Sequence, residues 1–319
     1  MVISRRTLLQ ASLGLLPIQP SSSLTMQLDW HLNAQFAGLC IAQDNGYYRH
    51  QGLNVTLVPA SPDTDVVQTV VSQPWTIGCA EESLILSAQA KGIPIVAIAS
   101  MLQASPLALM SLPQSGLKNL QELIGKRVGI HSDGRKALEL VLNQWSIDPR
   151  ELDITDIPYV NKHKLLSNGT FDAVQCYALD EPIELAHRIG QPPCVLAFKD
   201  YGFDVYSQVI FTSHSLIKNQ PQMLAKFLNA TFSGWRWAIT HPSQTARILV
   251  NQYVEPNYQD IDYQTASLEI LADYVQPQRH PIGVINPKRW QQSAQQLAQA
   301  NLIDKIPPLA TSIDISLWS

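Results

Sequence analysis

The sequence predicts an α/β protein of two lobes, and three observations predict it. Leu28 to Val55, LDWHLNAQFAGLCIAQDNGYYRHQGLNV, reads as strand, helix and strand, the unit from which parallel sheets are built. The rhythm of strand, glycine turn and helix repeats to Leu102 and restarts from Ser111. The 319 residues, 45% of them hydrophobic, are enough for two cores.

The elements follow in order. Gln27 to Trp30 reads as a first strand. Phe36, Leu39, Cys40 and Ile41 recur at near-helical spacing until Gly46, and Gly52 opens a strand over Val55 to Pro59. Asp63 or Asp65 can cap a helix over Val66–Ser72. Thr76–Ala80 is a short buried strand, Glu81 to Lys91 a helix ended by Gly92, and Ile93 to Leu102 a continuous apolar strand. Gly116 to Leu123 is a helical turn, Gly125 to Ile130 a strand and Lys136–Trp145 a helix. Strand Ile154 to Tyr159, helix Lys162 to Ser167 and strand Phe171 to Tyr177 complete the second series. Ser207 to Thr212 is a further strand. The rhythm then changes to helices over Pro221 to Ile239, Ser243 to Tyr253, Thr265 to Val275 and Pro287 to Ala300.

The net charge is −4 and there is no long basic run, so no nucleic-acid partner is expected. No apolar stretch reaches the roughly 20 residues of a membrane span. Residues 1–23 read as an export signal: Arg5-Arg6 precede an apolar run from Leu8 to Ile18, with Ser21 and Ser23 as small residues beside a cleavage site. The arginine pair fits the twin-arginine route, and an ordinary secretory signal fits as well. The expected location is the periplasm, and the expected state a monomer. Cys40, Cys79, Cys176 and Cys194 are widely spread, without a metal-type cluster. They read as small buried hydrophobes, though an exported protein could also pair them. No metal and no cofactor is expected.

In parallel sheets, ligands bind at the carboxyl ends of the strands. That rule selects two stretches. Trp30 offers a flat apolar face and Asn33 a donor and an acceptor, unless they serve as a core ring and a helix cap; Phe36 lies on the same turn. Tyr177 to Pro182 ends the strand of the second series, with Glu181 directly before Pro182. Glu81 and Glu82 suit the dipole of the helix they open, or one of them faces the cleft. Asp133 caps the helix after Ile130 or meets the ligand. Tyr206 is expected to close over the site from the hinge side.

Ordered motifs carry a family resemblance. They are Trp30-x-x-Asn33-x-x-Phe36-Ala37-Gly38, Asn45-Gly46-Tyr47-Tyr48 with Gly52-Leu53-Asn54-Val55, Gly92-Ile93-Pro94-Ile95-Val96 and Gly125-Lys126-Arg127-Val128-Gly129. Gly169-x-Phe171-Asp172-Ala173, Glu181-Pro182 and Gly234-Trp235-x-Trp237-Ala238 with His241-Pro242 complete the set. Over residues 26–319 the chain resembles the bacterial periplasmic substrate-binding proteins related to thiamine-pyrimidine synthase. The resemblance implies a two-lobed type II periplasmic-binding-protein fold with the ligand cleft between lobes. Lobe 1 would hold 26–112 plus 206–319, and lobe 2 would hold 113–205. It also implies an ABC permease as membrane partner, Trp30 against a flat ring, and Glu181 against ring amino groups. The chain departs from the family's pyrimidine binders at Leu32 and Phe36, where they often carry Pro and His, and at Asp180, where Asn often stands. It departs from the synthases in Gly202 to Ser207, which holds no cysteine, and in Leu84, which stands where they carry a reactive histidine.

Three function classes follow. The first is a binding protein for a planar heterocycle such as a thiamine-precursor pyrimidine, with alkanesulfonate, nitrate or flavin as alternative ligands. An anion would want Arg135 or Lys136. The second is a thiamine pyrimidine synthase-like enzyme, for which spacing shows no nucleophile–base pair. The third is a sensory module that presents its ligand to a membrane receptor.

Overall fold

Ten strands form two five-stranded sheets in the computed structural model, which describes residues 22–61, 63–131, 134–159, 161–276 and 280–317. The first sheet contains β1 (Ser22–Gln27), β2 (Leu53–Val58), β3 (Thr76–Ala80) and β4 (Ile95–Leu102). The second contains β5 (Leu107–Ser111), β6 (Arg127–Ile130), β7 (Asp153–Asp156), β8 (Ala173–Tyr177) and β9 (Cys194–Ala197). The chain then returns with β10 (Ser207–Ser213) to the first. The orders are β2-β1-β3-β10-β4 and β7-β6-β8-β5-β9. In each sheet four strands run in one direction, and the strand just beyond a crossover inserts antiparallel: β10 between β3 and β4, and β5 between β8 and β9.

Two expectations are corrected here. The expected lobe boundary puts Leu107–Ser111 in the first lobe, but this strand pairs with β8 and β9, so the crossover lies between Leu102 and Leu107 and not after residue 112. The first strand is Ser22–Gln27, not Gln27 to Trp30. Leu24, Met26 and Leu28 alternate into the core, and the parallel register runs from Ser22 opposite Leu53 to Gln27 opposite Val58. Ser22 and Ser23 of the expected export segment therefore lie in β1, while residues 1–21 lie outside the described residues.

Most other elements fall within one or two residues of expectation, because helix and strand periods are local signals. Helix Val66–Ser72 starts as expected, capped by Asp65, whose carboxylate accepts the Gln68 N–H at 2.8 Å. Helix Pro221–Thr240 packs on helix Ala37–Asp44 at a point where both backbones need glycine. A Cβ on Gly234 would sit 2.0 Å from the Gly38 carbonyl oxygen, and one on Gly38 would sit 2.2 Å from the Trp235 ring. Apolar clusters cover both faces of each sheet. The edge of β4 is not left open: the Asp314 N–H donates to the Ala97 carbonyl at 2.9 Å, and Ser100 N–H to Gly283 at 3.0 Å.

Candidate functional site

The carboxyl ends of the parallel strands face one another across the two crossovers. From the first lobe come Asp29 and Trp30 after β1, Glu81 after β3, and Ser207 and Gln208 at the start of antiparallel β10. From the second come His131 after β6, Tyr159 and Lys162 after β7, and Tyr177, Asp180 and Glu181 at the end of β8.

A hydrogen bond and a ring contact among the described residues join these edges. Tyr177 Oη donates to Glu81 Oε1, which also accepts the Ser207 hydroxyl at 2.5 Å. The Trp30 and Tyr159 rings lie 5.5 Å apart between centroids, tilted by 44°. Trp30 is held in place by its indole N–H, which donates to Tyr258 Oη at 3.2 Å.

Asp29 forms the floor. Gln208 donates its amide to both carboxylate oxygens, at 3.1 and 3.3 Å. Gln208 does this from φ +50°, a left-handed conformation costing on the order of 1–3 kcal/mol for a non-glycine residue and concentrated at ligand sites. Burial pushes the Asp29 carboxyl up to about 6, against the lowering effect of Gln208. Burial, together with the Glu81 and Asp29 charges, holds the Tyr177 phenol well above its ordinary range, so it stays a donor. Asp180 is likewise raised, first by burial and then by Glu181 beside it.

Of the expected ligand residues, Trp30, Glu81, Tyr177 and Glu181 meet at this cleft. Glu181 is not bare: Lys162 Nζ donates to Oε1 and the Tyr177 N–H to Oε2 at 2.7 Å. Three expectations are corrected. Asn33 is 3% exposed and accepts the Gln35 N–H at 2.8 Å, so it caps its own helical turn. Phe36 is 1% exposed within the first-lobe core. Both follow from β1 ending early, which carries residues 33–36 past the cleft and into the core. Tyr206 is also 1% exposed. Its hydroxyl accepts the Asn286 N–H at 2.9 Å, and its ring lies under the Arg289 guanidinium at 3.9 Å, so it anchors helix Pro287–Gln299 to the hinge. Asp133 lies outside the described residues.

Sequence reasoning missed Asp29, Tyr159, Lys162, Gln208 and Tyr258. Asp29 was within reach, since it adjoins Trp30; the others come from distant segments and carry no local signal. Arg135, the expected anion ligand, is engaged by Asp156 at 2.8 Å, and Lys136 is exposed. All four cysteines are free, three of them buried and Cys194 partly so. Among the described residues, no group of three or more His, Cys, Asp or Glu side chains is placed to hold a metal ion, and no helix is long and apolar enough to cross a membrane. A groove of about 530 Å³ beside Tyr47 and Arg236 shares no residue with the cleft.

Two mixed five-stranded sheets linked by two crossovers, with their strand ends facing one another between the lobes, are the architecture of the periplasmic-binding-protein fold. The periplasmic aliphatic sulphonate binding protein of Escherichia coli superposes with a TM-score of 0.71 at 15% identity, covering 93% of this chain and 92% of that one. The chain belongs to the NMT1/THI5 like family, whose sequence model matches residues 33–245. It is 23% identical over 274 residues to the formylaminopyrimidine-binding protein of Halalkalibacterium halodurans, covering 85% of this chain and 83% of that protein. It is 24% identical over 246 residues to a 4-amino-5-hydroxymethyl-2-methylpyrimidine phosphate synthase of Legionella pneumophila, covering 75% and 78%.

Proposed function

We propose that this protein is the solute-binding component of an ABC importer. In this reading it captures a small planar heterocycle bearing amino groups, of the thiamine-precursor pyrimidine class, outside the cytoplasmic membrane. It hands the molecule unchanged to a membrane permease, acting as a monomer. The observation that carries the reading is the pairing of an aromatic face, Trp30, with the carboxylates of Asp29, Glu81, Asp180 and Glu181, of which Glu181 is paired with the Lys162 ammonium. Flat rings stack on indoles. Carboxylates accept from exocyclic amines as they do from cytosine N4. An excess of acid over base disfavours sulfonate or nitrate, and Arg135 is already spent on Asp156. The name of the Halalkalibacterium relative supports an aminopyrimidine as the ligand class.

An enzymatic reading finds less support. Gly202 to Ser207 holds no cysteine. Cys79, the thiol nearest the cleft floor, donates to Asp29 at 3.8 Å, and burial raises it well above its ordinary value, which withholds the reactive thiolate.

The test is mass spectrometry of small molecules that co-purify with the protein, followed by calorimetric titration with 4-amino-5-hydroxymethyl-2-methylpyrimidine, riboflavin, taurine and nitrate. Saturable binding of the pyrimidine and none of the anions is expected. Tighter binding of taurine or nitrate would overturn the reading. Product formation by the purified protein would move it to the synthases.

A further inference from the structure

Tyr159 did not enter the sequence-based site, yet it is 40% exposed, whereas Trp30, Tyr177 and Tyr258 are half-buried. One of its neighbours is Trp30 of the opposite lobe, at 5.5 Å. The other is His131 of its own lobe, at 4.0 Å and 12° from parallel. His131 is itself fixed. It is 1% exposed, its backbone N–H donates to Gln175 Oε1 at 3.0 Å, and its Nδ1 lies 3.0 Å from the Ile157 carbonyl. A carbonyl can only accept, so Nδ1 carries the proton and the imidazole plane is locked. Gly134 belongs to the same device: a Cβ there would fall 2.0 Å from the Gln175 Oε1 that holds His131. Tyr159 is therefore a ring laid on a rigid plate, with Trp30 of the opposite lobe 5.5 Å away.

We infer that Tyr159, backed by His131, is the second wall of the ligand slot, and that the guest ring inserts between Tyr159 and Trp30. This rests on the planar-ligand reading above. The arrangement observed is the slot with its walls together. A flat guest needs ring planes about 7 Å apart, two contact distances of about 3.5 Å, so the walls separate by roughly 1.5 Å and lose their tilt. A small rotation about the two crossovers does this, because the walls belong to different lobes. Ring size is then read by a clamp whose two walls belong to different lobes. Tyr159 is a binding residue and His131 a positioning residue that acts through it.

Calorimetric titration with 4-amino-5-hydroxymethyl-2-methylpyrimidine and with riboflavin tests this on the full chain. Tyr159→Ala is expected to weaken the better ligand by about tenfold or more, while Tyr159→Phe stays within about threefold of the parent. His131→Phe, which keeps a flat ring beneath Tyr159, is expected to retain binding, and His131→Leu, of similar bulk, to lose about tenfold. A merely structural role for His131 would not separate those two variants. If the parent binds and Tyr159→Ala binds equally well, the clamp is overturned and the planar-ligand reading stands. If the parent binds neither compound, both fall together.

Discussion

Tyr177 of the second lobe donates its phenolic hydrogen to Glu81 of the first, on an oxygen that also takes the Ser207 hydroxyl at the start of the returning strand. One carboxylate oxygen thus ties together the end of β8, the end of β3 and the hinge. Each side of a charged hydrogen bond of this kind contributes roughly 1.5–3 kcal/mol. Much of that is available to hold the lobes shut.

Tyr177→Phe removes this bond and little else. The expected outcome is a larger radius of gyration by small-angle scattering without ligand, and an affinity for the bound heterocycle weaker by about tenfold. Identical scattering and affinity would mean that closure depends on other contacts.

Trp30→Ala should reduce binding of the heterocycle by at least about a hundredfold, since it deletes the stacking face and the donor to Tyr258. Trp30→Phe keeps a smaller face and should fall between the two. Calorimetry ranks the three, and full affinity in the alanine variant would show that Trp30 is a packing residue.

Glu82 gives a pH prediction. It is wholly buried at the start of its helix, and it exchanges backbone and side-chain bonds with Tyr206, whose N–H donates to its carboxylate at 2.6 Å. Burial pushes its carboxyl up to about 8, despite that donor. A carboxyl raised in the folded state binds more protons folded than unfolded, so its contribution to stability falls as pH rises from about 4.5 towards 8. Glu82→Gln is neutral throughout. Thermal melts should show the variant gaining on the parent as pH rises from about 5 to 8, by an amount on the order of a few kcal/mol. A constant difference across that range would refute a buried titrating Glu82.

Gly234→Ala should cost roughly 2–4 kcal/mol, because its methyl would fall 2.0 Å from the Gly38 carbonyl, a backbone atom that cannot swing aside. Chemical denaturation measures the loss. Gly52→Ala, where nothing lies within 4 Å, separates steric overlap from the strain of a positive φ, here +74°.

Much of the fold was legible because it is written locally. Helix Lys162–Ser167 and strand Thr76–Ala80 were found residue for residue, the helix ended by Asn168-Gly169 and the strand by Glu81-Glu82. Strands β9 and β5 were not. β9, four residues long, follows two prolines and is only partly buried, so no period rises above its surroundings. β5 was given to the wrong lobe because nothing in LALMS states which sheet it joins.

The sequence by itself determined the α/β class, the order of elements, and the rule that strand ends carry the site, since periods of 2 and 3.6 residues and capping chemistry act within a few residues of chain. It also placed Trp30, Glu81, Tyr177 and Glu181 on those ends. Only the tertiary structure decided that Glu81 meets Tyr177, 96 residues away, and Trp30 meets Tyr258, 228 residues away. It alone showed that Tyr159 rests on His131 and that Asn33, Phe36 and Tyr206 turn inward. The physical reason is that burial and facing are properties of two chain segments brought together by the packing of whole sheets, and neither segment encodes its partner.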